Sequence, residues 1–180
     1  MRVIAALALV LLLSGCVPTP PAETPIASPS PTPVFASEEE ALAAAEEAYA
    51  AYERAVDISL TTYDRSALDT VSKGQALQAA LESSKSFEAQ GRILVGSSRT
   101  EITKLAHPGG LVDGSSSDPL SAYACLDVSS TDVLDASGVS VVQDGRETVF
   151  PEVVVLEFDG DLGALVVTSV EIWEGENFCD

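Results

Sequence analysis

The sequence is poor in the residues on which many enzymes and nucleic-acid-binding proteins depend. Its 180 residues include nine basic residues against 28 acidic ones, one histidine and three cysteines, for a formal net charge of −19. Such an acidic chain repels phosphate backbones and has no basic patch for anionic headgroups, which argues against nucleic acid as a partner. The sequence also has no C-x-x-C pair and no G-x-S-x-G nucleophile motif. Its composition therefore predicts no catalytic constellation, no cofactor and no metal.

Long hydrophobic runs are scarce as well. The one unbroken apolar run covers residues 3–13, after the single basic residue Arg2. It is about half of the roughly 20 residues that a helix needs to cross a bilayer. A proline-rich segment that begins at Pro18 argues against an uncleaved anchor helix. The run is therefore typical of the hydrophobic region of a cleaved signal peptide, residues 1–15.

The four residues at the end of this run, Leu-Ser-Gly-Cys at 13–16, resemble the lipobox of bacterial lipoproteins. The resemblance implies cleavage after Gly15, lipidation of the Cys16 sulfur and retention on the outer face of the cytoplasmic membrane. An anchor with two or more acyl chains gives stable membrane attachment. The alternative is an ordinary secreted protein with a chance cysteine near its cleavage site.

The sequence predicts one folded domain behind a tether. Residues 16–36 comprise Cys16 and a proline-rich stretch, which favours extended polyproline II and a spacer of about 60 Å. A proline-rich ligand for a partner's groove is the alternative interpretation. Residues 37–180 then form the domain. With Cys16 assigned to lipid, Cys125 and Cys179 remain as a pair in an oxidising compartment, where a structural disulfide is expected.

Helical signals fill the first half of the domain. Ser37 and Glu40 have the spacing of a capping box, and the helix that they begin is predicted to run to about Leu60. Its apolar stripe comprises Leu42, Ala45, Tyr49, Tyr52 and Val56, and the glutamates off that stripe are expected to face solvent: Glu46, Glu47 and Glu53. A short second helix after Asp64 and a third, from a weaker capping box at Ser72 to a stop at Gly91, complete this half.

Strand signals fill the second half. Residues 93–105 are predicted as one strand with a bulge at 96–98, and residues 107–119 as a loop. In the strand at 121–129, alternation puts Ala122 and Ala124 on one face and Tyr123, Cys125 and Asp127 on the other. Asp144-Gly145 is a hairpin signal, and the strands at 149–158 and 164–173 are expected to pair antiparallel. Helices first and strands afterwards predict an α+β fold.

This order resembles the NTF2-like (cystatin-like) fold, a cone in which three N-terminal helices pack on a curved antiparallel sheet of about four to six strands. More specifically, the chain is similar to small lipoproteins of high-GC Gram-positive bacteria. The matching residues are Ala48-Tyr49 with Tyr52, Cys125-Leu126-Asp127, Asp135 with Gly138, Val167 with Val170, and Cys179. The resemblance implies that Cys125 and Cys179 are bonded and that a dimer through the sheets can form. It implies no activity.

Few residues are candidates for chemistry or binding. Asp127, with Asp132 and Asp135, can supply paired carboxylates for acid–base work, or can simply cap turns. Tyr49 and Tyr52 can line a pocket in the cone or belong to the core. Trp173 is expected on the outer side of its strand, as an interaction anchor. His107 and the acidic loop at 113–118 are weak candidates for a catalytic base and a calcium site.

Three functional hypotheses follow from these residues. The first is a lipid-anchored, non-catalytic module on the outer face of the cell membrane that binds a protein or cell-wall partner. The second is a small-molecule-binding protein or enzyme that uses the interior of the cone. The third is a structural component of the cell envelope. A filled interior would argue against the second hypothesis.

Overall fold

The computed structural model describes residues 34–112 and 118–179. Cys16, the predicted signal peptide, most of the tether and most of the acidic loop at 113–118 lie outside these ranges. The described chain is α+β, as predicted: helices pack on antiparallel sheets of two and four strands. The elements are α1 (Glu38–Thr62), α2 (Leu68–Val71), α3 (Gly74–Gln90), β1 (Ile93–Val95), β2 (Arg99–His107), a 3-10 turn (Gly109–Leu111), β3 (Leu120–Asp127), β4 (Asp132–Leu134), β5 (Val149–Asp159) and β6 (Ala164–Ile172).

The cap predicted for α1 is present. The Ser37 hydroxyl accepts a hydrogen bond from the Glu40 backbone N–H at 3.2 Å, and the Glu40 carboxylate accepts one from the Ala36 N–H at 2.7 Å. The buried face of α1 carries mainly small residues and two tyrosines: Ala41, Ala45, Tyr49, Tyr52, Ala55 and Ser59. Small side chains let the helix axis approach the sheet closely, so the two tyrosine rings reach deep into the core.

The predicted caps of α2 and α3 are wrong. The Asp64 carboxylate closes a local turn by accepting the Ser66 N–H at 2.9 Å, and α2 begins later, at Leu68. The Ser72 hydroxyl donates to the Leu68 carbonyl at 2.7 Å, so it cannot cap α3, whose N-cap is Lys73. Short polar side chains have several backbone partners within reach, and tertiary packing selects among them. Gly91 ends α3 in the left-handed conformation, as predicted.

The single strand predicted at 93–105 is in fact two strands in two sheets. β1 pairs with β4, whereas β2 lies at one edge of the larger sheet, whose strand order is β2-β3-β5-β6. The break falls at Gly96, where φ is +86° and a Cβ atom would lie 2.0 Å from the Ser130 carbonyl oxygen. Only glycine lets the chain pass this close to the loop between β3 and β4.

The hairpin between β5 and β6 is confirmed. Its turn is held by the Asp159 carboxylate, which accepts the N–H groups of Asp161 and Leu162 at 2.8 and 3.1 Å and pairs with Lys73. The hairpin predicted at Asp144-Gly145 is wrong, because the strands on either side of that turn lie in different sheets. The turn is instead part of a loop between β4 and β5.

The larger sheet has an inner face, which packs on the helices, and an outer face on the opposite side. The inner face forms a filled core with α1 and α3, from Leu120, Ala122, Ala124, Val154, Leu156 and Val167, all without solvent exposure. Phe35, at the end of the tether, packs against the same core, and the Val34 and Phe35 N–H groups donate to the Leu111 carbonyl at 2.7 and 3.0 Å. The tether therefore joins the domain on its helical side.

Candidate functional site

Strand β3 determines which side chains reach the outer face. Ala122 and Ala124 point into the core, and the residues between and after them, Tyr123, Cys125 and Asp127, are partly exposed. This alternation is the one expected from the sequence. Because β3 has β2 on one side and β5 on the other, these three side chains project from the middle of the outer face.

The C-terminal segment, residues 173–179, crosses this face and is fastened to it. The Trp173 N–H donates to the Pro151 carbonyl at 2.8 Å, which extends the β5–β6 pairing by one residue. At the other end, the predicted disulfide between Cys125 and Cys179 is confirmed, with a Cα–Cα distance of 5.7 Å. The disulfide therefore fixes the chain terminus to a central strand.

Three aromatic rings meet where this segment crosses the sheet. The Tyr123 ring lies edge-on to the rings of Trp173 and Phe178, each at a centroid distance of 5.4 Å, and the Lys104 ammonium lies 5.1 Å from the Tyr123 ring centroid. The Trp173 indole N–H donates to the Glu176 carbonyl at 3.2 Å, yet 37% of the residue is exposed. The aromatic cluster of Tyr123, Trp173 and Phe178 thus offers a rigid, partly exposed apolar surface.

Two adjoining depressions on the outer face form what we call the outer-face groove. One, of about 570 Å³, lies beside the disulfide; the other, of about 420 Å³, lies beside Trp173; Thr103 and Phe178 line both. Charged side chains of both signs border the groove: Arg99, Glu101, Lys104, Asp127 and Glu176. An apolar centre with a charged rim is the usual composition of a recognition surface.

Asp127 is a structural rim residue of this groove. Its carboxylate accepts the Ser129 N–H at 2.8 Å and forms an ion pair with Arg99. The hydrogen bonds from Ser129, reinforced by the Arg99 guanidinium, lower the pKa of Asp127 to about 2. Asp135 likewise accepts hydrogen bonds from Ser137 and Val139, which lower its pKa. Both carboxylates are therefore held ionised as turn and pairing residues, which is unsuitable for a general acid.

A second polar cluster lies on the inner face, beneath α1. The Tyr49 hydroxyl donates to the Glu152 carboxylate of β5, and the Tyr52 hydroxyl donates to the Ala76 carbonyl of α3 at 3.4 Å. Tyr49 has no solvent exposure, and Tyr52 and Glu152 are 6% and 5% exposed. Burial raises the pKa of both tyrosines and of Glu152 above their usual values, because desolvation disfavours the charged form of each group.

Glu53 completes this cluster, which we call the buried acidic cluster (Tyr49, Tyr52, Glu53 and Glu152). The residue is 9% exposed, although the helical pattern placed it on the solvent side. Desolvation, followed by the neighbouring carboxylates of Glu152 and Asp57, raises the pKa of Glu53 to about 8. Its position four residues after Tyr49 could have indicated the same helix face. The burial of Glu152 could have been expected from the alternation along its strand, because this charged residue falls on the same face as the apolar Val154 and Leu156.

The predicted site residues therefore fall into two groups on opposite sides of the sheet. Tyr49 and Tyr52 stack in the core, with ring centroids 6.4 Å apart, whereas Asp127, Trp173 and the disulfide lie on the outer face. His107 lies exposed at the end of β2, opposite Ser121. Within residues 34–112 and 118–179 no group of three acidic, histidine or cysteine side chains is arranged to hold a metal ion.

No helix within the described ranges combines the length and the apolarity that a membrane span requires. No protein-family model matches the sequence, and no curated protein matches it. The fold is similar to a crystal structure of the intermembrane space region of the chloroplast protein ARC6, with a TM-score of 0.52 and 12% identity. The match covers 73% of this chain and 95% of that one. At this identity the similarity concerns the fold alone.

Proposed function

We propose that this protein is a lipid-anchored lipoprotein on the outer face of a bacterial cytoplasmic membrane, and that its domain is a non-catalytic binding module with an NTF2-like fold. Its partner is a protein or a cell-wall polymer, and the outer-face groove is the binding surface. The observation that carries this proposal is the partly exposed aromatic cluster, held rigid on the sheet by the Cys125–Cys179 disulfide. Rigid aromatic groups lose little conformational entropy on binding, and hot spots are enriched in tryptophan and tyrosine.

The position of the tether supports this choice of surface. Phe35 packs against the core on the helical side of the domain, whereas the groove lies on the opposite face of the sheet. A chain anchored through Cys16 would therefore not obstruct the groove. The acidic surface is repelled by an anionic membrane. This repulsion would hold the domain away from the membrane surface, at a distance set by the length of the tether.

The filled core argues against the cone interior as a catalytic pocket. The residues between α1 and the sheet are buried and packed, and the hydroxyl of Tyr49 is already used by Glu152. The aspartates of the outer face are engaged in turns and in the ion pair with Arg99. Neither set of groups is free to act on a substrate.

Site-specific photocrosslinking in living cells tests the proposed surface. A photoreactive phenylalanine analogue at Lys104 or Glu176, on the rim of the groove, should give a crosslinked product that is lost when Trp173→Ala is added. The matched controls are the same analogue at Glu46, exposed on α1, and the substitution Val139→Ala, which removes a side chain that is 60% exposed elsewhere. Equal products from Glu46, or products insensitive to Trp173→Ala, would refute the assignment. A product containing a second copy of this chain would assign the face to a dimer instead.

The lipid anchor is tested separately. In cells, Cys16→Ser should abolish labelling with a fatty-acid analogue and release the protein from the membrane or leave it unprocessed. Cys125→Ala combined with Cys179→Ala is the control, because it removes the other two cysteines and should leave labelling intact. Unchanged, detergent-requiring membrane association of the Cys16→Ser variant would contradict the lipoprotein assignment.

A further inference from the structure

Glu53 is unusual among the buried polar groups of this domain. Every fully buried side-chain nitrogen or oxygen of the described residues has a hydrogen-bond partner. The Glu53 side chain is about nine-tenths buried and makes no hydrogen bond to any described residue. Its carboxyl oxygens must therefore reach the cleft that Glu53 lines, because a closed core would leave them unsatisfied.

That cleft has a volume of about 400 Å³, lies between α1 and the start of β2, and shares only Arg99 and Thr100 with the lining of the outer-face groove. Its wall is fixed by Asp57, whose carboxylate accepts the Ser98 N–H at 2.8 Å and the Ser98 hydroxyl at 2.9 Å. All the lining residues except Ala50 are polar or charged: Ala50, Glu53, Arg54, Asp57, Ser97, Ser98, Arg99 and Thr100. A cleft of this size accommodates a small molecule rather than a polymer.

The charges around Glu53 indicate which ligand would fit. Glu152 and Asp57 are the acidic side chains that act on Glu53, and Tyr49 and Tyr52 lie on its buried side. No ion pair within the described ranges involves Glu53, Asp57 or Glu152. Of the two cations that line the cleft, Arg99 is paired with Asp127, and Arg54 is exposed. Within the described ranges, no positive charge and no hydrogen-bond donor is therefore paired with the Glu53 carboxyl group.

We propose that this cleft binds a small molecule through a primary ammonium group, which donates hydrogen bonds to the Glu53 carboxylate. An ammonium group supplies both missing elements, and charge-assisted hydrogen bonds are the stronger ones. The hydroxyls of Ser97 and Thr100 can bind neutral polar parts of the ligand, and Arg54 can bind an anionic part at the entrance. Because no three-ligand metal cluster exists among the described residues, an organic cation fits the site better than a metal ion.

Titration of the full chain in detergent with three primary amines of increasing size tests this proposal. The probes are ethanolamine, L-lysine and glucosamine, and the readout is amide chemical shifts at residues 53–57 and 97–100. At least one amine should give saturable shifts, and Glu53→Gln should weaken binding by about tenfold or more. Glu46→Gln, which removes an exposed glutamate of the same helix, should bind like wild type. Tetramethylammonium has the same charge without N–H donors and should bind at least about tenfold more weakly than the best amine.

Proton release on binding is a second readout, which would not be observed if the Glu53 side chain had only a structural role. At pH 7 the Glu53 carboxyl holds its proton, and an arriving ammonium group should convert it to carboxylate and release that proton to buffer. Calorimetry in two buffers of different ionisation enthalpy measures this release, which Glu53→Gln should abolish. The proposal is overturned if none of the amines binds, if Glu53→Gln binds as well as wild type, or if tetramethylammonium binds as well as the amines. None of these outcomes bears on the aromatic cluster of the outer-face groove.

Discussion

The Tyr49 hydroxyl donates a hydrogen bond to the Glu152 carboxylate, which links α1 to β5 across 103 positions of sequence. Both residues are buried, and this is the one hydrogen bond that the Glu152 carboxylate makes within the described ranges. The bond therefore orients the long N-terminal helix on the sheet. Its energetic importance comes from what its loss would leave behind, a buried carboxyl group without a partner.

Tyr49→Phe should lower the free energy of unfolding by about 1–3 kcal/mol, because it removes the donor and leaves Glu152 buried. Urea denaturation followed by circular dichroism measures this change. In a Glu152→Leu background the same substitution should cost less, since no buried carboxyl group remains to be satisfied. Tyr63→Phe is the matched control: its hydroxyl donates to the Arg92 carbonyl at 2.9 Å in a partly buried position, so its loss should cost less. Additive costs of Tyr49→Phe and Glu152→Leu would contradict the coupling.

Stability should fall as pH rises from about 4.5 to about 8. In this window Glu53 ionises in the unfolded chain while the folded protein keeps its proton, because burial raises its pKa to about 8. The unfolded state then binds fewer protons, so unfolding becomes easier by a few kcal/mol, about 1.4 kcal/mol for each unit of pKa difference. Glu53→Gln should flatten this decline and Glu46→Gln should not. A wild-type stability that rises between pH 5 and pH 8 would refute the effect.

At low pH the stability of the domain should instead fall as the pH falls. The pKa values of Asp127, Asp135 and Asp159 are lowered by hydrogen bonds and, for Asp127 and Asp159, by ion pairs, so their contributions are lost as pH falls below about 4. Together with Glu53 they predict maximum stability near pH 4–5, which thermal unfolding across pH can locate. Asp135→Asn should weaken the acid-side decline and leave the alkaline side unchanged.

Removal of the disulfide should destabilise the domain and loosen its C-terminal segment. Cys125 and Cys179 are 54 positions apart, and a closed loop of this length restricts the unfolded chain by about 4 kcal/mol in the chain-entropy model. The double substitution to alanine should therefore lower the melting temperature. Trp173 is the one tryptophan in the sequence, so its fluorescence should also shift towards that of exposed indole. Unchanged fluorescence in the folded double variant would mean that the aromatic cluster, without the disulfide, holds the segment in place.

Gly96→Ala should be far more destabilising than Gly138→Ala. Both glycines have positive φ, +86° and +81°, which costs an L-residue about 1–2 kcal/mol. A Cβ at Gly96 would in addition lie 2.0 Å from the Ser130 carbonyl oxygen, whereas a Cβ at Gly138 would meet nothing within 4 Å. The difference between the two variants in denaturation midpoint measures the cost of the close approach alone. Equal midpoints would show that the loop after β3 can move away.

The spacing of apolar residues along helices and strands predicted most of the architecture. The 3–4 spacing of apolar residues located α1 and its two buried tyrosines, and the period of two along β3 placed Tyr123, Cys125 and Asp127 on the outer face. The α+β order and the β5–β6 hairpin followed from the same signals. Errors arose where distant segments meet: the break at Gly96 depends on Ser130, and the cap of α3 depends on the alternative partner found by Ser72.

By itself, the sequence determined the α+β class, the order of helices before strands and the outward side of β3, because helix and strand periods are properties of neighbouring residues. It also identified Cys125 and Cys179 as the pair left for a disulfide once Cys16 is assigned to lipid. Only the tertiary structure decided that Glu53 is buried and that the C-terminal segment builds an aromatic cluster on the outer face. The physical reason is that the solvent exposure of a helical residue depends on which other elements pack against it. The neighbours of Glu53 include Glu152 of β5 and residues 97–100 at the start of β2, all more than 40 residues away in sequence.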